Sequence, residues 1–246
     1  MRQFLGWLVC VLVLQSFAAE QANDLSPARS YPVEKLREIL LPRAQWHPFP
    51  AFKDRAGWAG LPEAVQGQLL KLGEEALAKP VPALPATLYL EYRRIGNRSH
   101  YEAVYFERRS MLQNLAAADC MEAKGRFLDA VANTLWAICE EASGCLPAHV
   151  GAQKAGSGLP DVTEPIVDLF AAETGVSAAW TLYLLGPELD RVSPQIRKRA
   201  ELELSRRILN PVLERDNFGW MALNVTSASH RPNNWGGLIR AYMRGF

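Results

Sequence analysis

The chain has almost no net charge and no single-residue bias that would mark an unusual class of protein. Its 246 residues include 27 basic and 26 acidic side chains, which gives a formal net charge of +1. A protein that wraps nucleic acid or another polyanion carries a clear basic excess, so this balance argues against that class. The 17 glycines and 16 prolines are ordinary and exclude collagen-like structure and bulk disorder. The length suits one large domain or two small ones.

Long apolar runs are also lacking, and the most apolar segment lies at the amino terminus. It covers 4–14, follows a basic residue and leads into small residues. A membrane-spanning helix needs about 20 apolar residues, whereas this pattern is typical of a secretory signal peptide. We therefore expect residues 1–18 to be a signal peptide. The mature chain, 19–246, is then periplasmic or secreted and is not held in a membrane.

Cysteine and histidine are too sparse to suggest a metal site. The four residues of each type form no Cys-x-x-Cys pair and no histidine cluster, so we predict neither a metal nor a cofactor. Removal of the leader leaves Cys120, Cys139 and Cys145. Three buried thiols are the favoured interpretation. A bridge between Cys139 and Cys145 is the alternative in an exported protein.

Helical periodicity dominates the mature chain. Apolar residues recur at helical spacing in five segments: 61–79, from 99 to beyond 115, 122–142, 163–185 and from 193 onward. Ser99 and Glu102 predict a capping box, and Pro211 is expected to perturb or end the last helix. Segment 87–92 alternates weakly and predicts a short strand. We therefore predict an all-α fold of antiparallel helix hairpins, with this one marginal strand.

The segment 163–185 differs from the others because apolar residues cover nearly its whole circumference. Such a helix is enclosed by its neighbours, as an inner helix of a two-layer array would be. Its acidic residues, Glu164, Asp168 and Glu173, then need partners or a wet cavity, which makes them functional candidates. The alternative is structural: Glu164 serves the start of the helix, and the other two pair with arginine or backbone N–H groups.

His149 lies in the loop just before this helix, where a rigid helical scaffold can position a functional side chain. Imidazole can act as base, acid or donor near neutral pH. The common alternative for a single histidine is a structural role.

A second polar cluster lies near the carboxyl terminus, at 229–237. Its amides, imidazole, guanidinium and indole suit a carbohydrate surface, since amides donate and accept and arginine matches a carboxylate. The alternative is an Asn- and Gly-rich turn around a packed tryptophan. The candidate binding residues in this cluster are His230, Arg231, Asn233, Asn234 and Trp235.

Several short motifs resemble the heparinase II/III-like family in their order and spacing. They are 136–149, 167–174, 206–208 and 233–235, and the likeness spans roughly 35–235. This resemblance implies an exported polysaccharide lyase with an incomplete (α/α) toroid followed by a β-sandwich. It also implies β-elimination on glycans that contain uronic acid, of the heparin or heparan, alginate or chondroitin type, so that the partner is an anionic polysaccharide or oligosaccharide.

The resemblance also implies roles for individual residues. Asn234 or Arg231 would neutralise the uronate carboxylate, and His149 would serve as base or donor. Trp235 would stack on a sugar ring. The further residues expected to bind substrate are Asn233, His230, Asp168 and Glu173.

The carboxyl-terminal segment 236–246 departs from the family pattern, which continues with further toroid helices. We therefore expect 19–246 to be a partial toroid domain without the β-sandwich and without lyase activity on its own. Two other classes stay open. One is a non-catalytic helical module that binds a glycan or a protein. The other is an (α/α)-barrel glycoside hydrolase in which Asp168 or Glu173 would be acid and base.

Overall fold

The computed structural model describes residues 32–42 and 45–221, which fall into two units, 1–49 and 50–246. The described residues contain helices and no strand, which confirms the all-α prediction for this part of the chain. None of the described helices combines the length and apolarity that crossing a membrane requires. The predicted signal peptide and the cluster at 229–237 lie outside the described residues.

The first unit contributes one described helix, and the second unit contributes the others. In chain order they are α1 (Val33–Ile39), α2 (Arg55–Ala59), α3 (Glu63–Leu77), α4 (Ala86–Ile95), α5 (Ser99–Glu122), α6 (Leu128–Glu140), α7 (Leu169–Val192), α8 (Pro194–Leu204) and α9 (Asn210–Glu214). A π-helical turn, Ser205–Leu209, joins α8 to α9. This turn ends two residues before Pro211 and confirms that the last helix is perturbed there.

The strand predicted at 87–92 is wrong, because these residues form the middle of α4. Helix α4 follows Pro85 and ends at Gly96, whose φ of 73° lies in the left-handed region that favours glycine. Tyr89 and Tyr92 are one helical turn apart and Tyr89 is buried. The weak alternation therefore coincided with helical spacing, and the glycine stop signal was the more informative feature.

The capping box predicted from Ser99 and Glu102 is also wrong. Ser99 is already helical, and the side chain of Arg98, which precedes the helix, makes no capping hydrogen bond. Instead, the Asn97 side-chain oxygen accepts from the backbone N–H of His100 (3.1 Å). Glu102 pairs with Arg98 (Nε to Oε1, 2.5 Å). The side chain that stabilises the start of α5 thus lies two residues earlier than the motif implies.

Helices α3 and α5 pack closely and antiparallel. Gly73 lies against Ala118, where a Cβ on the glycine would be 2.2 Å from the alanine Cβ. Further along, Lys79 Nζ lies 3.5 Å from an oxygen of Glu107. As the residue number rises in α3, the contacting residue number in α5 falls, which defines the antiparallel direction. Gly73 is required because no side chain fits between the two helices.

Helices α5 and α6 form a second antiparallel pair. Near the connection, the Asp119 carboxylate accepts from the Phe127 backbone N–H (3.2 Å). At the far end, Arg109 of α5 bonds Glu141, which follows α6. The predicted hairpin arrangement is therefore observed in this pair.

Helices α7 and α8 also turn back on each other, across Ser193. The serine side chain accepts from the Gln195 N–H (3.3 Å) and so caps α8 just before Pro194. Arg197 bonds Asp190 (Nε to Oδ1, 3.0 Å) across the turn. This pair is the third antiparallel hairpin.

By contrast, α5 and α7 run parallel to each other. Tyr105 bonds Thr174 (2.7 Å), and one to two turns later Gln113 bonds Ser177 (2.8 Å). The helices that follow them, α6 and α8, also contact each other. Two parallel helices thus form one layer, and their antiparallel partners form the next. The shared core is made of fully buried side chains from α5, α6 and α7, among them Leu112, Leu115, Leu135, Leu185 and Leu189.

Helix α7 has the enclosed character predicted for 163–185, although its bounds are shifted. None of the residues 169–186 is exposed. The helix starts at Leu169, after Asp168, and continues through Pro187 to Val192. The prediction began too early because Pro165 and the extended backbone of Asp168 keep the preceding residues out of the helix.

The thiols of Cys120, Cys139 and Cys145 are buried and unbridged. This confirms the interpretation of three buried thiols, and the alternative bridge between Cys139 and Cys145 is not formed. Burial raises the pKa of Cys120 to about 12 and that of Cys139 to about 11, and it raises the pKa of Cys145 as well. Thiols held in this form are poor nucleophiles.

Candidate functional site

The site begins with Asp168, the residue that caps the amino terminus of α7. Its extended backbone directs Oδ1 to accept from the Ala171 N–H at 2.7 Å. The second oxygen, Oδ2, accepts from His149 Nδ1 at 2.6 Å and, at 3.4 Å, from the Leu146 N–H. A carboxylate is favoured here because the helix terminus presents unpaired N–H groups and positive partial charge.

Asp168 fixes the chemistry of the His149 imidazole. An ionised carboxylate can only accept, so the proton of the neutral ring lies on Nδ1 and the lone pair lies on Nε2. The ring also stacks on Phe170, with centroids 5.7 Å apart and planes 11° apart. The histidine side chain is 13% exposed and the aspartate side chain 5%. The carboxylate therefore orients the imidazole, which retains some access to solvent.

Two tyrosines hold the loop that carries His149. The Tyr89 hydroxyl donates to the Cys145 carbonyl (2.9 Å). The Tyr105 hydroxyl lies within hydrogen-bond distance of the Gly144 and Phe170 carbonyls (2.8 and 3.0 Å). Burial raises the pKa of both tyrosines well above the usual value, so both remain protonated donors. These bonds tie the loop to α4, α5 and the first turn of α7.

A buried ion-pair group lies beside this loop. Arg109 bonds both oxygens of Glu141, and Arg108 Nη1 bonds Oε1 at 3.0 Å. The side chains of Arg108, Arg109 and Glu141 are only 11%, 6% and 4% exposed. The Arg109 guanidinium also stacks over the Tyr105 ring at 3.4 Å. Two arginines thus share one buried carboxylate.

The three acidic residues singled out from the sequence have different surroundings. Glu164 precedes α7, accepts from the Lys154 N–H (2.8 Å) and pairs with Arg215 (3.7 Å). The expectation that it serves the helix terminus is therefore wrong, and Asp168 has that role. Glu173 is half-buried within α7; burial raises its pKa, and the charge of Arg109 opposes that shift. The structure brings Asp168, not Glu173, to His149.

The motif at 206–208 belongs to a structural cluster. Glu203 lies within 3.0 Å of a nitrogen of each of three arginines, Arg199, Arg206 and Arg207. Arg199 and Arg207 also donate to the Cys139 carbonyl near the end of α6, where cations offset the helix dipole. Burial raises the pKa of Glu203, but its arginine partners outweigh that effect and hold it below the usual value.

Other predicted site residues lie outside the described part of the chain. They are His230, Arg231, Asn233, Asn234 and Trp235. Within the described residues, no group of three or more His, Cys, Asp or Glu side chains is placed to hold a metal ion.

Comparison with models of known protein families gives no match for this chain. Comparison with curated proteins likewise gives no match.

Proposed function

We propose that this chain is the helical part of an exported, heparinase II/III-like polysaccharide lyase and that it binds a uronic-acid-containing glycan beside His149. The observation that carries the proposal is the His149–Asp168 pair. It combines a positioned imidazole, a buried carboxylate and the start of an enclosed helix. A carboxylate that bonds Nδ1 fixes the orientation of an imidazole, as proton transfer requires.

The proposed reaction needs a base at C5 of the uronate. Abstraction of the C5 proton and loss of the O4 substituent form a C4–C5 double bond, and the leaving oxygen takes up a proton. With Nδ1 bonded to the Asp168 carboxylate, His149 is the residue proposed to accept the C5 proton. A second group must neutralise the adjacent carboxylate, and Asn234 or Arg231 is proposed for this role from the sequence resemblance.

The helix arrangement supports an (α/α) toroid as the proposed architecture. In the described part, α5 and α7 are parallel and each is followed by an antiparallel partner, α6 and α8. A toroid repeats this unit, with the parallel helices in its inner layer. The absence of exposed residues over 169–186 fits α7 as such an inner helix.

The surroundings of Asp168 argue against this residue as the acid or base of the glycoside-hydrolase alternative. A hydrolase acid or base must reach the glycosidic oxygen or a water molecule. Asp168 is 4% exposed and already accepts from His149, Leu146 and Ala171. Its carboxylate is therefore committed to positioning the imidazole.

The test is a binding titration of the full chain with a uronic-acid oligosaccharide and with the same oligosaccharide after reduction of its carboxyl groups. We expect the acidic form to bind at least about tenfold more tightly, which corresponds to one charge-assisted hydrogen bond. His149→Gln should weaken binding of the acidic oligosaccharide, because in this proposal the His149 side chain lies against the bound uronate. The control is His100→Gln, since His100 is exposed and pairs with Glu91.

Equal binding of the two oligosaccharides, or equal loss in both variants, would contradict the proposal. The reaction products distinguish a lyase from a hydrolase. Any cleavage should generate unsaturated uronate with its characteristic ultraviolet absorbance. New reducing ends without that absorbance would contradict lyase chemistry and favour the hydrolase.

A further inference from the structure

A cavity that is separate from the His149–Asp168 pair opens between α4, α5, the end of α6 and the loop that follows α6. It encloses about 650 Å³ of space, including its open mouth, and has both polar and apolar walls. We call it the Tyr101 cavity. The lining residues that matter here are Tyr89, Tyr101, Arg108, Glu140 and Glu141.

The Tyr101 hydroxyl is a buried donor without a partner among the described residues. The residue is 4% exposed, and its ring packs edge-to-face on Tyr89 with centroids 4.8 Å apart. By contrast, the hydroxyls of the neighbouring Tyr89 and Tyr105 donate to backbone carbonyls. Among the described residues, the fully enclosed side-chain atoms that make no hydrogen bond belong to Asp119, Arg199 and Arg207. The Tyr101 hydroxyl makes no hydrogen bond either, but it is not fully enclosed. It therefore reaches the open space of the cavity.

Arg108 places positive charge on the same cavity wall. Its Nε donates to the Pro82 carbonyl (2.7 Å) and its Nη1 to the Ala137 carbonyl and Glu141. No hydrogen bond joins its Nη2 to a described residue. Glu141 is shared between Arg108 and Arg109, so one carboxylate faces two guanidinium groups. Glu173 also interacts with the charge of Arg109.

We propose that the Tyr101 cavity binds a small, sugar-sized ligand through its carboxylate. The ligand carboxylate would accept from the Tyr101 hydroxyl and from Nη2 of Arg108, while the ring of Tyr89 offers an apolar wall to the rest of the ligand. A carboxylate is favoured because its two oxygens can accept from both of these donors. The site uses neither His149 nor Asp168, so it does not depend on the proposed function.

Glu140 is the negative group at the mouth of the cavity and makes the charge requirement testable. It is exposed, and its Oε1 accepts from the Trp136 indole at 2.8 Å. Its charge opposes a bound carboxylate across partly solvated space. Replacement of this charge should therefore affect an acidic ligand and spare a neutral one of the same shape.

The experiment titrates the full chain with D-glucuronate and, as a matched neutral probe, with D-glucose. We expect glucuronate to bind more tightly than glucose. Tyr101→Phe should weaken glucuronate binding about fivefold to tenfold, the value of one hydrogen bond to a charged group. It should leave the melting temperature unchanged, because the hydroxyl bonds no described residue. Glu140→Gln should strengthen glucuronate binding about twofold and leave glucose binding unaltered.

Tyr105→Phe is the control, since this tyrosine does not line the cavity although its hydroxyl is bonded. It should lower stability and leave glucuronate affinity unchanged. The proposal is overturned if glucose binds as tightly as glucuronate, or if Tyr101→Phe leaves the affinity unchanged. It is also overturned if His149→Gln abolishes glucuronate binding while Tyr101→Phe does not, a result that would support the proposed function at the other site.

Discussion

Replacement of Asp168 by alanine should be among the more damaging single substitutions in α7. It removes the cap of the helix, which contributes about 1 kcal/mol. It also leaves the His149 Nδ1–H and the Leu146 N–H without their acceptor, and each buried unpaired donor costs about 1–3 kcal/mol. Because the bond from Leu146 is long, at 3.4 Å, its loss should cost an amount at the lower end of this range. The expected loss in the free energy of unfolding is about 3–5 kcal/mol.

Asp168→Asn separates the structural and chemical contributions of this carboxylate. Asparagine caps helices about as well as aspartate, so most of the stability should return, with a residual loss of about 1–2 kcal/mol. Its amide nitrogen cannot accept from His149, however. The imidazole must then change tautomer or lose its bond, and binding of the uronic-acid oligosaccharide should fall although the fold is retained.

The assay is urea denaturation of the full chain, with Asp54→Ala as the control. Asp54 caps α2 with one bond, to the Gly57 N–H at 2.9 Å, and is exposed. Its replacement should cost about 0.5–1 kcal/mol. If Asp168→Ala costs no more than Asp54→Ala, the buried bonds from His149 and Leu146 do not stabilise the protein. The reasoning that places the pair at the centre of the site would then be refuted.

Three further predictions concern the helical frame. Gly73→Ala should destabilise the protein by about 1–3 kcal/mol because its new Cβ would clash with Ala118. Gly67→Ala is the control: a Cβ there meets no neighbour within 4 Å, so this substitution should stabilise the protein by up to about 1 kcal/mol. Urea denaturation compares the two variants. The raised pKa of Cys120 predicts slow labelling by a thiol reagent in the native state and fast labelling after unfolding, and equal rates would contradict it. Since arginines lower the folded-state pKa of Glu203, its contribution to stability is present above the unfolded pKa and is lost as pH falls through the folded one. Glu203→Gln should therefore flatten the loss of stability on acidification below about pH 4.5, and an unchanged profile would contradict this.

The helices could be predicted from the sequence where one apolar stripe dominates. Helices α3, α5, α6 and α8 follow such stripes, and the enclosed character of α7 was visible in its all-round apolar surface. Helix α4 was missed because its short sequence fits both periods, and only the Gly96 stop distinguishes them. The start of α7 was placed too early because apolar residues continue before the cap at Asp168.

The site could be predicted only in its separate members. His149 and Asp168 were each singled out, but they are 19 residues apart, and their bond depends on the path of the intervening loop. The ion pairs of Arg108 and Arg109 with Glu141 were missed. Charged residues on a helix normally indicate its solvent face, and burial of these three results from the packing of α5 against α6.

The most direct test of the proposed role of His149 is a nitrogen-15 NMR spectrum of its imidazole in the full chain, near neutral pH. We expect the proton on Nδ1 and a lone pair on Nε2 in the neutral ring. Addition of the uronic-acid oligosaccharide should shift the Nε2 signal, and the carboxyl-reduced form should not. Two results would contradict the assignment of His149 as the group that contacts the uronate. One is a proton on Nε2 in the neutral ring before the glycan is added. The other is an Nε2 chemical shift that does not change when the acidic glycan is added.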